Sequence, residues 1–337
     1  MLGASERPLV DAYDLAMFDL DGVVYIGGRA VPGAPDHLAR IRASGVHLAF
    51  ITNNASRPPA AVAEKLTGLG VEASAADVVT SAQAAAHVLL ERFGDGAAVG
   101  VLGGSGLEEA LREAGLVPVA VDAEDIVAVV SGYGPGVLWR DIMRAAVRIR
   151  DGLPWVASNT DLTLPTPGGT APGHGVLVDM VSRFAGVDPV VAGKPRRPLL
   201  DETVRRVGGE RPLMVGDRLD TDIEGAHEAG VDSLLVLTGV TGLAELVAAR
   251  PVERPTYLSP DLAGLFVTHE QPRRADDGEW QLGGWAARVD SAIHVAGEGS
   301  EADWWRVVAA VSWQHLDRAG QPADTTGLVP PVDASGG

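Results

Sequence analysis

The sequence predicts an α/β protein: a Rossmann-like parallel-sheet core, an α/β domain inserted into it, and a small α+β extension at the C-terminus. Three observations carry that expectation. Short β-branched runs alternate with longer amphipathic stretches along most of the chain, as strands joined by crossover helices do. The strand-like runs are continuously apolar, as in parallel sheets covered on both faces. Four polar segments also follow one another in order: FDLDGVV at 18–24, FITNN at 50–54, GKP at 193–195 and VGDRLDTD at 215–222. Each falls where an apolar run gives way to a loop, and open α/β sheets gather ligands outside the carboxyl ends of their strands.

Strands are expected at LAMFDL (15–20), HLAFIT (47–52), AVGVLG (98–103), IVAVVSG (126–132), WVASN (155–159), PLMVGD (212–217) and SLLVLTG (233–239). Helices are expected in PDHLARIRASG (35–45), GLEEALREAG (106–115), LWRDIMRAAVRIRDG (138–152) and IEGAHEAG (223–230), several of which end in Gly, a frequent helix stop. The first two polar segments lie about 30 residues apart, one strand–helix–strand unit. The third waits until Lys194. The interval contains at least three further strand–helix pairs, enough for a domain. The expected division is therefore a core of residues 1–81 and 190–268, with 82–189 inserted. Residues 160–175, with LTLPTPGGTAPGHG at their heart, are expected to form an ordered loop in the insertion.

QPRRADDGE (271–279) reads as a linker to an extension at 275–337. EWQLGGWAARVDSAIHVAG looks strand-like, and EADWWRVVAAVSWQHLD reads as a helix with Trp304, Val307, Val308 and Val311 on one face. Five of the seven tryptophans fall in this extension, so it is expected to dock an apolar face. QPADTTGLVPPVDASGG is expected to be frayed.

Bulk properties narrow the function classes. A net charge of −18 without a long Lys/Arg run disfavours nucleic acid and anionic membrane surfaces as partners, though a local cationic pocket remains open. The absence of cysteine removes disulfides, thiol catalysis and Cys-ligated zinc. MLGASERPLVDAYD has no apolar segment behind a basic stretch, and no apolar run reaches about 18 residues. A cytoplasmic chain is the expectation.

Asp19 and Asp21 end the first strand two residues apart, a spacing that puts both side chains on one side if the strand continues. One carboxylate can attack phosphorus; the other can protonate the leaving alkoxide and then deprotonate water. An Asp-Gly turn whose Asp caps a helix would equally explain the dipeptide. Thr52, Asn53 and Asn54 end the second strand, where a hydroxyl and backbone N–H groups can hold phosphoryl oxygens or simply cap the next helix. Lys194 can offset negative charge as a phosphate approaches a carboxylate, or be a surface lysine. Asp217 and Asp222 are five residues apart, and Thr221 or Asp222 could be only a helix cap. Clustered buried carboxylates need a compensating cation, and Mg²⁺ is the ordinary one beside phosphate.

In combination these motifs, Asp-Leu-Asp-Gly-Val, Thr-Asn-Asn, Gly-Lys-Pro and Gly-Asp-(four residues)-Asp, resemble the haloacid dehalogenase (HAD) superfamily of phosphotransferases. The long insertion resembles the α/β cap of its class IIA (C2-type) members, and the match covers roughly residues 12–265. The resemblance implies an Mg²⁺-dependent phosphatase with Asp19 as nucleophile and Asp21 as general acid/base. It implies that Thr52 and Lys194 bind the phosphoryl group. It implies Mg²⁺ on Asp19, the backbone carbonyl of Asp21 and Asp217, with Asp222 in support, and Asn53 and Asn54 positioning substrate or its attacking oxygen. The tryptophan-bearing extension behind such a unit resembles actinobacterial glycerol 3-phosphate phosphatases.

Specificity is expected in the cap, where Asn159 and Asp161 could hydrogen-bond a polyol and His174 could face the site. The 158–175 stretch has no aromatic side chain for stacking, which favours a small polar phosphate, although Trp139 or Trp155 could stack from elsewhere. Glycerol 3-phosphate is the first expectation, followed by 2-phosphoglycolate, pyridoxal phosphate or a nucleotide. A non-catalytic phosphometabolite-binding module is the alternative from another class. A homodimer through the cap or the extension is a further expectation.

Overall fold

The computed structural model describes residues 1–331 except Pro167 and Asp277. Part of the stretch expected to fray, residues 332–337, lies outside the described residues. The chain forms two compact units: Met1–Leu48 with Gly209–Gly337, and Ala49–Gly208.

In the first unit, strands Leu15–Phe18, Pro212–Gly216, Asp232–Val236 and Tyr257–Ser259 lie side by side and parallel. Leu15–Phe18 is buried throughout, which accounts for its unbroken apolar sequence. Phe18 pairs with Val215 and Val215 with Leu234. The carboxyl ends are therefore level, and Asp19, Asp217 and the segment after Val236 leave along one edge. Asp19 is followed by a turn and the short hairpin Tyr25–Ile26/Arg29–Ala30, not by a helix. The next helix, Ala34–Ala43, is entered from Gly33, so neither Asp19 nor Asp21 is a helix cap.

The C-terminal part of this unit is an antiparallel sheet in the order Arg273–Arg274, Trp280–Leu282, Trp285–Val289, Ile293–Gly297. Helix Glu301–Ala319, capped by Ser300, packs on this sheet, on strand Tyr257–Ser259 and on helix Leu243–Val247. Arg273–Arg274 lies inside the stretch expected to be a linker; its two charged, exposed side chains suit an edge strand and gave no apolar signal. Trp304, Val307, Val308 and Val311 are buried as their helical spacing requires. They share one apolar cluster with Leu219, Ile223, Leu235 and Leu258.

In the second unit, the strand ending at Thr52 runs parallel to Val78–Thr80. Thr80 and Gln83 cap each other at the start of helix Ser81–Phe93. A five-stranded parallel sheet follows in the order Val190–Val191, Trp155–Ala157, Ala128–Ser131, Ala98–Leu102, Val117–Val119. Helices Ser105–Glu113, Trp139–Arg150 and His174–Ala185 connect its strands. The 160–175 stretch, expected to be a loop, contains an antiparallel hairpin, Thr163–Thr166 with Gly169–Pro172. Proline within both arms hid the strand alternation. The seven parallel-sheet strands and five helices read from the sequence form; four of the short strands paired at the margins, Val78–Thr80, Val117–Val119, Val190–Val191 and Tyr257–Ser259, carry too few residues to stand out in it. Among the described residues, no helix is long and apolar enough to cross a membrane.

Candidate active site

Two groups of side chains gather at strand ends, one in each unit. In the first, Asp19, Asp217 and Asp222 bring one carboxylate oxygen each within 4.8 Å of one another. Asp217 and Asp222 are fully buried, whereas Asp19 is half-buried. Asp217 follows Pro212–Gly216 directly, and its Oδ2 accepts the Val240 N–H at 2.7 Å. Asp222 sits in a wide helical turn, Leu219–Ile223, that leads into helix Glu224–Ala229. Its Oδ2 accepts the backbone N–H groups of Asp217 and Arg218, both at 3.1 Å. Asp222 is therefore not the cap of that helix, which is entered from Ile223 without a side-chain cap; its bonds tie the preceding turn. Asp220 is exposed and paired with Arg218.

Gly22 makes the loop after Asp19 possible. Its φ is +88°, and a Cβ there would lie 2.3 Å from Asp217 Oδ2, so only glycine suits both the turn and the neighbour. The Gly22 carbonyl accepts Thr238 Oγ1–H at 2.6 Å. Asp21 is exposed, 3.4 Å from the Tyr25 hydroxyl. An acid/base group that must meet both a leaving group and water suits an open position.

Three carboxylates in this space repel one another, and their all-oxygen donor set is the kind that holds a hard divalent cation. The residues thus fit Mg²⁺. Thr238 and Val240, which brace this cluster, were not singled out from the sequence. Their signal was positional: SLLVLTG ends at the same sheet edge as the two Asp motifs.

In the second unit, Thr52 and Lys194 are buried, Lys194 to 2% exposure. A buried ammonium is unlike the common surface lysine and needs anionic or hydrogen-bonding company. Thr52 Oγ1 accepts Asn54 N–H at 3.1 Å, and Asn54 Oδ1 accepts Ser56 N–H at 2.8 Å. These bonds tie a turn; helix Pro59–Gly68 begins after Pro58 without a side-chain cap. Asn53 reaches Lys194 and Asp161. Asn159 donates to the Asn53 carbonyl at 2.7 Å, and its Oδ1 accepts Asp161 N–H at 3.2 Å. Asn159 thus has an internal role where a polyol contact was expected.

His174 is 4% exposed, with Nε2 3.1 Å from Ser131 Oγ, which also accepts Trp155 Nε1–H at 2.8 Å. Burial pushes the His174 ring down to about 4, so it stays neutral within the five-stranded sheet domain. Trp155 is likewise held inside, while Trp139 is 61% exposed.

Residues 16–117 match the haloacid dehalogenase-like hydrolase family, and residues 191–265 match a HAD-hydrolase-like family. The chain belongs to the HAD-like hydrolases. It is 42% identical over 285 residues to D-glycerol 3-phosphate phosphatase of Mycobacterium tuberculosis, covering 84% of this chain and 80% of that one. It is 35% identical over 252 residues to the acid sugar phosphatase of Staphylococcus saprophyticus, covering 74% and 95%. The crystal structure of M. tuberculosis glycerol phosphate phosphatase in complex with magnesium superposes with a TM-score of 0.84 at 40% identity, over 91% of this chain and 92% of that one. The Thermotoga maritima 4-nitrophenylphosphatase superposes at 0.70 with 28% identity, over 76% and 97%.

Proposed function

We propose that this chain is an Mg²⁺-dependent phosphomonoesterase that hydrolyses a small phosphorylated metabolite, with glycerol 3-phosphate as substrate. The observation that carries the reading is the convergence of Asp19, Asp217 and Asp222 beyond adjacent parallel strands. Asp19 and Asp217 with Asp222 would hold the ion, together with the backbone carbonyl of Asp21. When bound, Mg²⁺ offsets charge on the phosphoryl oxygens.

The Asp19 carboxylate attacks phosphorus, the ester P–O bond breaks, and Asp21 gives its proton to the departing alkoxide. Water then attacks the aspartyl-phosphate as Asp21 takes its proton, releasing phosphate and restoring Asp19. Thr52 and Lys194 are assigned the phosphoryl oxygens. Glycerol 3-phosphate is favoured by the similarity to the mycobacterial enzyme along most of both chains and by the lack of an aromatic residue at 158–175. The reading keeps the domain division 1–81 with 190–268, 82–189 and 275–337. It also keeps a cytoplasmic setting, which cell fractionation tests, and a homodimer through the cap or the extension.

Purified protein should release phosphate from glycerol 3-phosphate with Mg²⁺ and lose that activity on chelation. Asp19→Asn should lower turnover by at least about 10³-fold while the chain stays folded. A panel with 2-phosphoglycolate, pyridoxal phosphate and nucleotides ranks the substrates. Silence of the wild type across that panel would leave the binding-module reading in its place.

A further inference from the structure

We infer that Asn53 is a positioning residue that sets the backbone of Lys194, and is not itself a substrate contact. The inference rests on the proposed phosphoryl grip by Lys194. The Asn53 amide nitrogen donates to the Lys194 carbonyl and to Asp161 Oδ1, each at 3.0 Å. Its amide oxygen accepts the Lys194 N–H at 2.8 Å. Both N–H bonds of the amide are therefore in use, and no donor is left for a phosphate or a polyol. One side chain takes both peptide groups of Lys194, as a neighbouring strand would.

Asn53 is itself held. Its carbonyl accepts Asn159 Nδ2–H at 2.7 Å and Ser81 Oγ–H at 2.6 Å. Gly193 fits beside it only because it lacks a side chain: a Cβ there would lie 2.5 Å from the Ser158 carbonyl and 2.6 Å from Asn53 Oδ1. Three segments distant in sequence, around 53, 158–161 and 193–194, are thus joined through one amide. Lys194 is buried, so its ammonium follows its backbone with little freedom to compensate. A displacement of about 1 Å in such a group can cost 100-fold in rate.

The test is a double-mutant cycle on the full-length chain. kcat/KM is measured with Mg²⁺ for wild type, Asn53→Ala, Lys194→Ala and the double variant, using glycerol 3-phosphate and 4-nitrophenyl phosphate. Asn53→Ala should lose about 10- to 100-fold, by the same factor on both esters because Asn53 touches neither leaving group. The double variant should be no slower than Lys194→Ala. Asn53→Asp, which keeps the shape but loses both donors, should repeat the pattern if Asn53→Ala melts early. Losses that add in the cycle, or that fall on one ester alone, would overturn the positioning role while leaving the phosphatase reading intact. Full activity in Lys194→Ala would instead overturn the grip itself, and the inference with it.

Discussion

A methyl group at position 239 would stand 1.9 Å from Asp217 Oδ2, and one at position 22 would stand 2.3 Å away. The carboxylate is therefore placed by what is missing around it as much as by its bond from Val240 N–H. Gly239→Ala should turn Asp217 out of the cluster. We expect the Mg²⁺ concentration for half-maximal activity to rise at least about 10-fold, as when the groups orienting a metal ligand are removed. A Mg²⁺ titration beside a thermal melt checks this, and an unchanged titration would refute it. Gly22 was legible in the sequence because Asp-Gly after an apolar run demands a turn. Gly239 was not, since a glycine closing a strand looks the same whether or not a carboxylate lies against it. The role of Asn53 escaped for a similar reason: its partners are 108 and 141 residues away.

At the scale of elements, apolar runs and glycine stops reveal the long strands and helices, because burial on both faces writes itself into composition. They fail for Arg273–Arg274 and for the proline-bearing hairpin at 163–172, which bury too little to leave a pattern. His174 shows how an element can absorb a polar residue. It opens helix His174–Ala185 with its ring turned to Ser131 in the neighbouring strand. The folded ring titrates at about 4 because burial disfavours the imidazolium, whereas an unfolded histidine titrates near 6.5. Between those values the unfolded chain binds a proton that the folded chain refuses. The contribution is thus complete above about pH 6.5 and lost as pH falls toward 4, about 3 kcal/mol in all. His269, pushed down to about 4 by burial and then by the Arg306 guanidinium, adds in the same direction. Urea unfolding from pH 7 to 4 should show this decline, and His174→Gln should flatten it. Equal slopes in the two proteins would mean that His174 is protonated in the fold.

For the whole molecule, the question is where apolar surface is left over. The tryptophan-rich extension could have been the sticky part, yet Trp280, Trp304, Trp305 and Trp313 are all 6% exposed or less. Trp313 also donates to the Leu246 carbonyl at 2.8 Å, so the extension turns its aromatic surface inward. Helices Trp139–Arg150 and His174–Ala185, which pack on one another, do the opposite. Trp139, Met143 and Val147 are 61%, 52% and 39% exposed at successive four-residue steps, and Val176, Met180 and Phe184 are 45%, 36% and 51% exposed in the same way. Repeated i, i+4 apolar positions normally face a core, and two such exposed rows on helices packed together point to an association face. A twofold homodimer is the economical way to cover it, since one patch then meets its own copy. The chain weighs 34.9 kDa, and light scattering should return about twice that mass, a pairing that buries on the order of 800 Å² per partner. Met143→Glu with Phe184→Glu should return the monomer mass and leave the folded signal intact. A monomer mass for the wild type, or a dimer that survives both charges, would rule out this face as the interface.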